Sequence, residues 1–231
     1  MMRRTLAAFA LSLLAIQSAC AADPDALWKL VDGKCTPAAR AGLEPKPCTT
    51  VDLPRGVAIL KDNAADKPYH YLAIPTAKVT GIEDPAVLSD RSFEVAWDNR
   101  ALVATKLGHP LPRAAYALAV NSRNGRSQSQ LHIHIDCIRP DIRAALDATP
   151  PGPAWAPFPV KLDGHRVIAR HIPGDTLAGI NPFRLLAEQS GPDMGDWTLV
   201  AAALPEGFAL IAHNDAFAHG EAMMDVTCHG F

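Results

Sequence analysis

His132, His134 and Asp136 stand at alternate positions in the stretch Gln128-Ser129-Gln130-Leu131-His132-Ile133-His134-Ile135-Asp136. Alternation of polar and apolar residues predicts a β-strand, because successive side chains point to opposite faces. Leu131, Ile133 and Ile135 then face a core, and Gln128, Gln130, His132, His134 and Asp136 line the other face. Two imidazoles and a carboxylate on one face suit three uses. They stabilise a polar face by hydrogen bonds, they ligate a metal as a His, His, Asp set, or one imidazole attacks phosphorus. Imidazole is a good nucleophile near neutral pH, and phosphoramidates hydrolyse readily. The strand by itself leaves all three open.

Such a face has to be built into a sheet. Val57–Leu60 and His70–Ile74 read as strands, the second stopped by Pro75. From about Pro85 to Leu107 the apolar residues fall near helical spacing, which predicts a long helix with Asp84 as N-cap and Gly108 as its stop. Tyr116–Val120 and Leu131–Ile138 are the next strands, joined by the polar loop Asn121–Ser127. Residues 25–31 and 139–147 read as short helices, and 32–56 as loop-rich. A proline-rich stretch, Pro150 to Pro159, precedes a second half that starts at about residue 151. Its order is strand (Arg166–His171), helix (Pro182–Gln189), strand (Thr198–Ala203), strand (Phe208–Ala212). Thr80-Gly-Ile-Glu-Asp-Pro85 in the first half is echoed by Ala178-Gly-Ile-Asn-Pro182 in the second. Either the chain is a degenerate duplication of one unit, or Gly-x-x-Pro simply starts helices. The expected class is α+β, an antiparallel sheet with a long helix packed on it.

The chain has 231 residues, 48 % apolar and 20 % charged, which is ordinary for a globular protein. A formal net charge of −2 argues against a general nucleic-acid binder. Residues 1–22 stand apart from the body at 23–231. Arg3 and Arg4 precede an apolar run from Leu6 to Ile16, and Ala19-Cys20-Ala21 fits a small-x-small cleavage pattern. The run is short for a membrane span, which needs roughly 20 apolar residues. The readings are a cleaved signal peptide, a retained N-terminal membrane anchor, or a lipoprotein through Cys20; the last has Gln17 against it. Each exports the body. Four cysteines then remain in an oxidising compartment: Cys35, Cys48, Cys137 and Cys228. Cys35–Cys48 would close a short loop and Cys137–Cys228 would tie the C-terminus to the histidine strand. Three pairings are open. No Cys-x-x-Cys spacing favours a metal site.

Several anchors at matched spacings resemble the histidine triad superfamily of nucleotide hydrolases and transferases. The family's motif has Gln-Ser, two residues, then three alternating histidines. Here Gln128, Ser129, His132 and His134 stand in place, with Asp136 where the third histidine would be. Asn121 lies eleven positions before His132, where the family has an Asn. Asp62 and His70-Tyr-Leu-Ala-Ile-Pro75 match an earlier family pattern. The string from Asn121 through Cys137-Ile-Arg-Pro140 is similar to one branch, the bacterial CDP-diacylglycerol pyrophosphatases, and the likeness extends to Ile180-Asn-Pro-Phe183.

That resemblance implies hydrolysis of CDP-diacylglycerol to CMP and phosphatidate at the periplasmic face of the inner membrane, or in the periplasm if the leader is cleaved. It implies no cofactor and no metal. His134 would be the nucleophile, with His132 and His70 orienting it and polarising phosphate oxygens. Gln128, Ser129 and Asn121 would donate to phosphates, and Asp62 would accept from ribose hydroxyls. Arg123 and Arg126, in the loop before the strand, could neutralise the pyrophosphate. Arg143 reads as a solvated surface residue. Asp136 departs from the family: an ionised carboxylate cannot donate to the leaving group, and activating the hydrolytic water is the role left for it. His165, His171, His213, His219 and His229 show no comparable pattern. The family usually pairs two such units, so a monomer carrying both halves and a homodimer are both expected forms. The competing functions are an exported hydrolase of soluble nucleotide pyrophosphates and a periplasmic metal-binding protein using His132, His134 and Asp136.

Overall fold

A computed structural model describes residues 23–191 and 193–231. The leader readings, with Cys20, lie outside the described residues. No described helix is long and apolar enough to cross a membrane.

Helix α1 (Ala26–Leu30) continues through a π-helical turn (Val31–Cys35) into α2 (Thr36–Arg40). The stretch expected to be loop-rich is therefore helical over its first part. It buries Leu27, Val31 and Cys35 on one side, and the Cys35–Cys48 disulfide pins that side down. Strands β1 (Thr50–Asp52), β2 (Val57–Lys61) and β3 (Tyr71–Pro75) follow. The expected helix over 85–107 forms in pieces: a 3₁₀ turn at Pro85–Ser89, α3 (Ser92–Asp98) and α4 (Ala101–Leu107). Local side chains compete with the helical ladder at the breaks. Asp90 Oδ1 accepts from Ser92 N at 2.8 Å, and Asn99 Nδ2 donates to Val95 O at 2.8 Å. Gly108 ends α4 with φ at 93°, a conformation that favours glycine.

Next come β4 (Tyr116–Val120), β5 (Ile133–Ile138) and α5 (Pro140–Ala148). Strand β5 begins later than the alternation predicts. Gln130 is the reason: its Nε2 donates to Pro75 O and Ala77 O, and its Oε1 accepts from Val79 N. A side chain that takes backbone partners in this way holds its own segment out of the ladder. The chain then runs through β6 (Ala156–Pro157), β7 (Ile168–Ile172), α6 (Pro182–Ser190), β8 (Trp197–Ala203), β9 (Phe208–Asn214) and β10 (Met224–Asp225).

All the strands join one antiparallel sheet in the order β1-β2-β3-β5-β4-β8-β9-β7-β6, with β10 paired to β5. From the central β4–β8 pair outward, one flank runs β4, β5, β3, β2 and the other β8, β9, β7, β6. Each flank thus uses its own strands in the same order, third, fourth, second, first. Helices α3 and α4 fall between β3 and β4, and α6 falls between β7 and β8. The echoed segments match too. Asp84 accepts from Ala86 N, and Asn181 accepts from Phe183 N. Asn181 Nδ2 also donates to Val87 O and Asp90 O, so the two helix starts abut.

One face of the sheet carries the main core. Ile133, Ile135, Leu118, Leu199 and Leu210 pack there against Phe93, Trp97 and Phe183. The opposite face is divided. Under α5 it is apolar, with Ala117, Val200, Ala202 and Ile211 against Ile142 and Leu146. At the other end Ala58, Leu72 and Ile74 pack beneath Leu27, Val31 and Cys35. His132, His134 and Asp136 lie on this divided face. The second disulfide is Cys137–Cys228, which with β10 fastens the C-terminal segment to β5.

Candidate active site

Register brings the first three site residues together. Strands β3 and β5 are antiparallel with Leu72 opposite His134, so His70, just before β3, reaches the face that carries His134 and Asp136. His70 Nδ1 lies 2.7 Å from Asp136 Oδ2, and His70 Nε2 lies 2.8 Å from His134 Nδ1. His70 and Asp136 are wholly buried. Asp136 Oδ1 accepts from Cys137 N at 2.8 Å, so both of its oxygens have donors, as a buried carboxylate requires.

The chain of hydrogen bonds fixes the protons. A carboxylate only accepts, so His70 Nδ1 donates to Asp136, and with His70 as the neutral tautomer its Nε2 accepts. His134 must then donate from Nδ1. Its Nε2 is left with a lone pair, 3.5 Å from Asn121 Nδ2. Burial pushes the His134 pKa well below the ordinary 6.5, and the neighbouring His132 and His70 add to the shift. The ring is therefore neutral at physiological pH, and the Nε2 lone pair is not taken up by a proton.

His132 lines the same cavity, with its ring 4.8 Å from that of His134. Its Nδ1 donates to Gln130 O at 2.7 Å, which turns Nε2 outward. Burial lowers its pKa as well, against the raising effect of that backbone bond. Asn121 is held by a reciprocal pair: its Nδ2 donates to Glu221 Oε1 at 2.9 Å, and Glu221 N donates to its Oδ1 at 3.2 Å. Glu221 forms an ion pair with Lys67, and its Oε2 lies 3.4 Å from His134 Nδ1. Burial alone would raise the Glu221 pKa; Lys67 and Asn121 outweigh it and hold the carboxyl below its usual range.

The cavity has a volume of about 570 Å³. Its polar end presents His132, His134, Asn121, Asp62, Lys67, Glu221 and His219. Its apolar end presents Leu27, Leu30, Pro47, Leu60 and Leu72.

Other expected residues are placed differently. Asp136 does not reach the cavity. It stands behind His70, bonded to it rather than placed to activate a hydrolytic water in the cavity. Asp62 lines the cavity while one of its oxygens accepts from Ala64 N. Gln128 also lines it, but its Oε1 accepts from Leu27 N at 2.9 Å and its Nε2 donates to Asp23 O. Ser129 donates its backbone N–H to Pro24 O at 2.6 Å. Arg126 forms a two-bond pair with Glu83 at 2.7 and 2.5 Å, and Arg123 pairs with Asp193 at 2.8 Å; neither lines the cavity. The lysines there are Lys61 and Lys67, and Lys61 spends its Nζ on the carbonyls of Asp62 and Lys67. Arg143 is buried rather than solvated, bonded to Asp147 and to Ala203 O. His132, His134 and Asp136 do not converge as metal ligands, because Asp136 faces His70. Among the described residues, His70, His134 and Glu221 bring donor atoms within 4.8 Å of one another. The nearest nitrogens of the two histidines are bonded to each other.

Glu221, Lys67 and His219 carry no signal in the sequence. Glu221 lies 100 residues from Asn121 and arrives on the 3₁₀ turn Gly220–Met223. That turn packs so tightly that a Cβ on Gly220 would come within 2.5 Å of Val120 O.

A family model for CDP-diacylglycerol pyrophosphatase matches residues 22–230. A CDP-diacylglycerol pyrophosphatase from Yersinia pestis is 38% identical over 218 residues, spanning 88% of this chain and 84% of that protein. Among solved structures, the yeast Ap4A phosphorylase Apa2 aligns over 69% of this chain and 56% of its own, with 12% identity and a TM-score of 0.39. On the match along nearly the whole length, the chain belongs to the CDP-diacylglycerol pyrophosphatase family.

Proposed function

We propose that this chain hydrolyses CDP-diacylglycerol to CMP and phosphatidate through a CMP adduct on His134 Nε2. The observation that carries the reading is the buried chain Asp136–His70–His134, which leaves His134 Nε2 unprotonated beside the cavity.

In the first step the Nε2 lone pair forms a bond to the phosphorus nearest the cytidine. The bond from that phosphorus to the bridging oxygen breaks, and its electron pair leaves on phosphatidate. His134 becomes an imidazolium, with its Nδ1 proton shared toward His70 and the Asp136 carboxylate balancing the positive charge. In the second step water attacks the same phosphorus. The P–N bond breaks, its electron pair returns to Nε2, and the water proton passes to solvent. Splitting one displacement into two lowers each barrier.

Phosphatidate is a good leaving group and needs no acid, which suits a site with Asp136 where a third histidine would donate. Lys67, ion-paired with Glu221, borders the polar end, and Asn121 would donate toward the reacting phosphoryl oxygens. Asp62, which lines the cavity, would accept from the ribose. Because the substrate is a lipid, the enzyme works at a membrane surface and belongs to phospholipid metabolism, on the periplasmic side if the leader exports it. The two flanks of the sheet let one chain act as a monomer.

Hydrolysis in ¹⁸O-labelled water tests the point of attack. The label is expected in CMP and not in phosphatidate. Label in phosphatidate would mean attack on the other phosphorus and would overturn the adduct on His134.

A further inference from the structure

We propose that the apolar end of the catalytic cavity is a glycerolipid subsite, walled by helix α1, the Pro47 loop and strands β2 and β3. This rests on the hydrolysis reading above and adds where the non-nucleotide part of the substrate lies. The wall consists of Pro47 and of Leu27, Leu30, Leu60 and Leu72, which pack in one cluster, and Leu72 lies opposite His134 across the β3–β5 pair. A pyrophosphate held at His134 therefore has polar groups on one side and aliphatic side chains on the other. The chemistry that fits the aliphatic side is the esterified glycerol and the first carbons of its acyl chains. A cavity of about 570 Å³ is of small-ligand size, so the rest of each chain stays in the membrane.

The wall is fastened from three directions, which distinguishes it from a loose surface helix. The Cys35–Cys48 disulfide holds the helical segment to the loop carrying Pro47. Leu27 N, one of the orphan donors at the start of α1, is satisfied by the Gln128 side chain at 2.9 Å. Pro24 O accepts from Ser129 N at 2.6 Å. Gln128 and Ser129 thus act as positioning residues that tie the lipid wall to the loop leading into His132.

The test compares two substrates with the same pyrophosphate: dioleoyl CDP-diacylglycerol in detergent micelles, and CDP-glycerol, which lacks acyl chains. The readout is the ratio of their kcat/KM values for wild type, Leu30→Ser and Leu60→Thr. Wild type is expected to favour the lipid, and each variant to lower that ratio about tenfold, chiefly through KM for the lipid, as loss of aliphatic contact area requires. A parallel fall with both substrates would assign the wall to the nucleotide or to folding and overturn the subsite. An unchanged ratio, or a wild type without preference for the lipid, would overturn it too while leaving the hydrolase reading intact. A wild type that hydrolyses neither compound would overturn the hydrolase reading itself.

Discussion

The two flanks of the sheet share strand order and helix placement, yet their faces opposite the main core differ in chemistry. On the β4–β5–β3 flank that face carries His134 and Asp136, with His70 reaching in, beside an open cavity. On the β8–β9–β7 flank it carries Val200, Ala202, Ala209, Ile211 and Ala169, sealed by Ile142 and Leu146 of α5. The same backbone plan thus yields a reactive centre where buried polar side chains partner one another, and a core in which aliphatic side chains predominate. The apolar flank still serves the site. Strand β8 pairs with β4, which pairs with β5, so the histidine strand is interior to the sheet and its register is held from both sides.

That contrast can be broken on either flank. On the polar one, His134→Ala is expected to lower turnover by on the order of 10⁴-fold or more, with thermal stability little changed. Steady-state hydrolysis and a melting curve on the same preparation check both parts. Asp136→Asn should follow, at on the order of 10⁴-fold at most, by comparison with a site where an amide imposes the wrong tautomer. An amide nitrogen would donate to His70 Nδ1, drive its proton to Nε2, and leave His134 protonated at the atom that must attack. A loss of less than about tenfold would contradict the relay.

On the apolar flank, Ile211→Ala should cost about 2–5 kcal/mol of stability while kcat/KM stays near the wild-type value. Urea unfolding and activity of the folded fraction separate the two effects, and a selective loss of activity would blur the division. The smallest expected effect is pH dependence. His132 and His134 have folded pKa values below the ordinary 6.5, so below that value the unfolded chain binds more protons than the native one. Stability is therefore full above pH 6.5 and declines as pH falls, by at most about 1.4 kcal/mol per pH unit for each histidine. Urea titrations between pH 7 and 5 measure the slope, and His132→Gln with His134→Gln should flatten it.

The contrast also separates what is legible in a sequence from what is not. The histidine strand is local: alternation places Ile133 and Ile135 in the core and leaves His134 and Asp136 on the other face. The segments starting at Asp84 and Asn181 are legible for the same reason, since a side-chain cap and a following proline act within one turn. Two disulfides are legible from four cysteines, but which cysteines pair is not: Cys35–Cys48 and Cys137–Cys228 are fixed only by the fold. Direction and partnership are not written locally. Arg123 and Arg126 look free for phosphate until Asp193 and Glu83 arrive from distant segments. Glu221 and Lys67 are unremarkable residues that only the assembled sheet and the Cys137–Cys228 tether bring beside Asn121. Asp136 occupies the motif position of a donor to the leaving group, yet its partner His70 sits just before the neighbouring strand, and only the β3–β5 register shows that His70 takes it up.

The central claim is that His134 Nε2 becomes bonded to phosphorus. The direct measurement is rapid acid-free quenching of the enzyme with cytidine-labelled CDP-diacylglycerol, followed by peptide mapping under alkaline conditions, where phosphoramidates persist. The account predicts a CMP adduct on His134, absent from His134→Ala and present in His132→Ala. An adduct on His132, or none on any histidine while CMP accumulates at the normal rate, would contradict it.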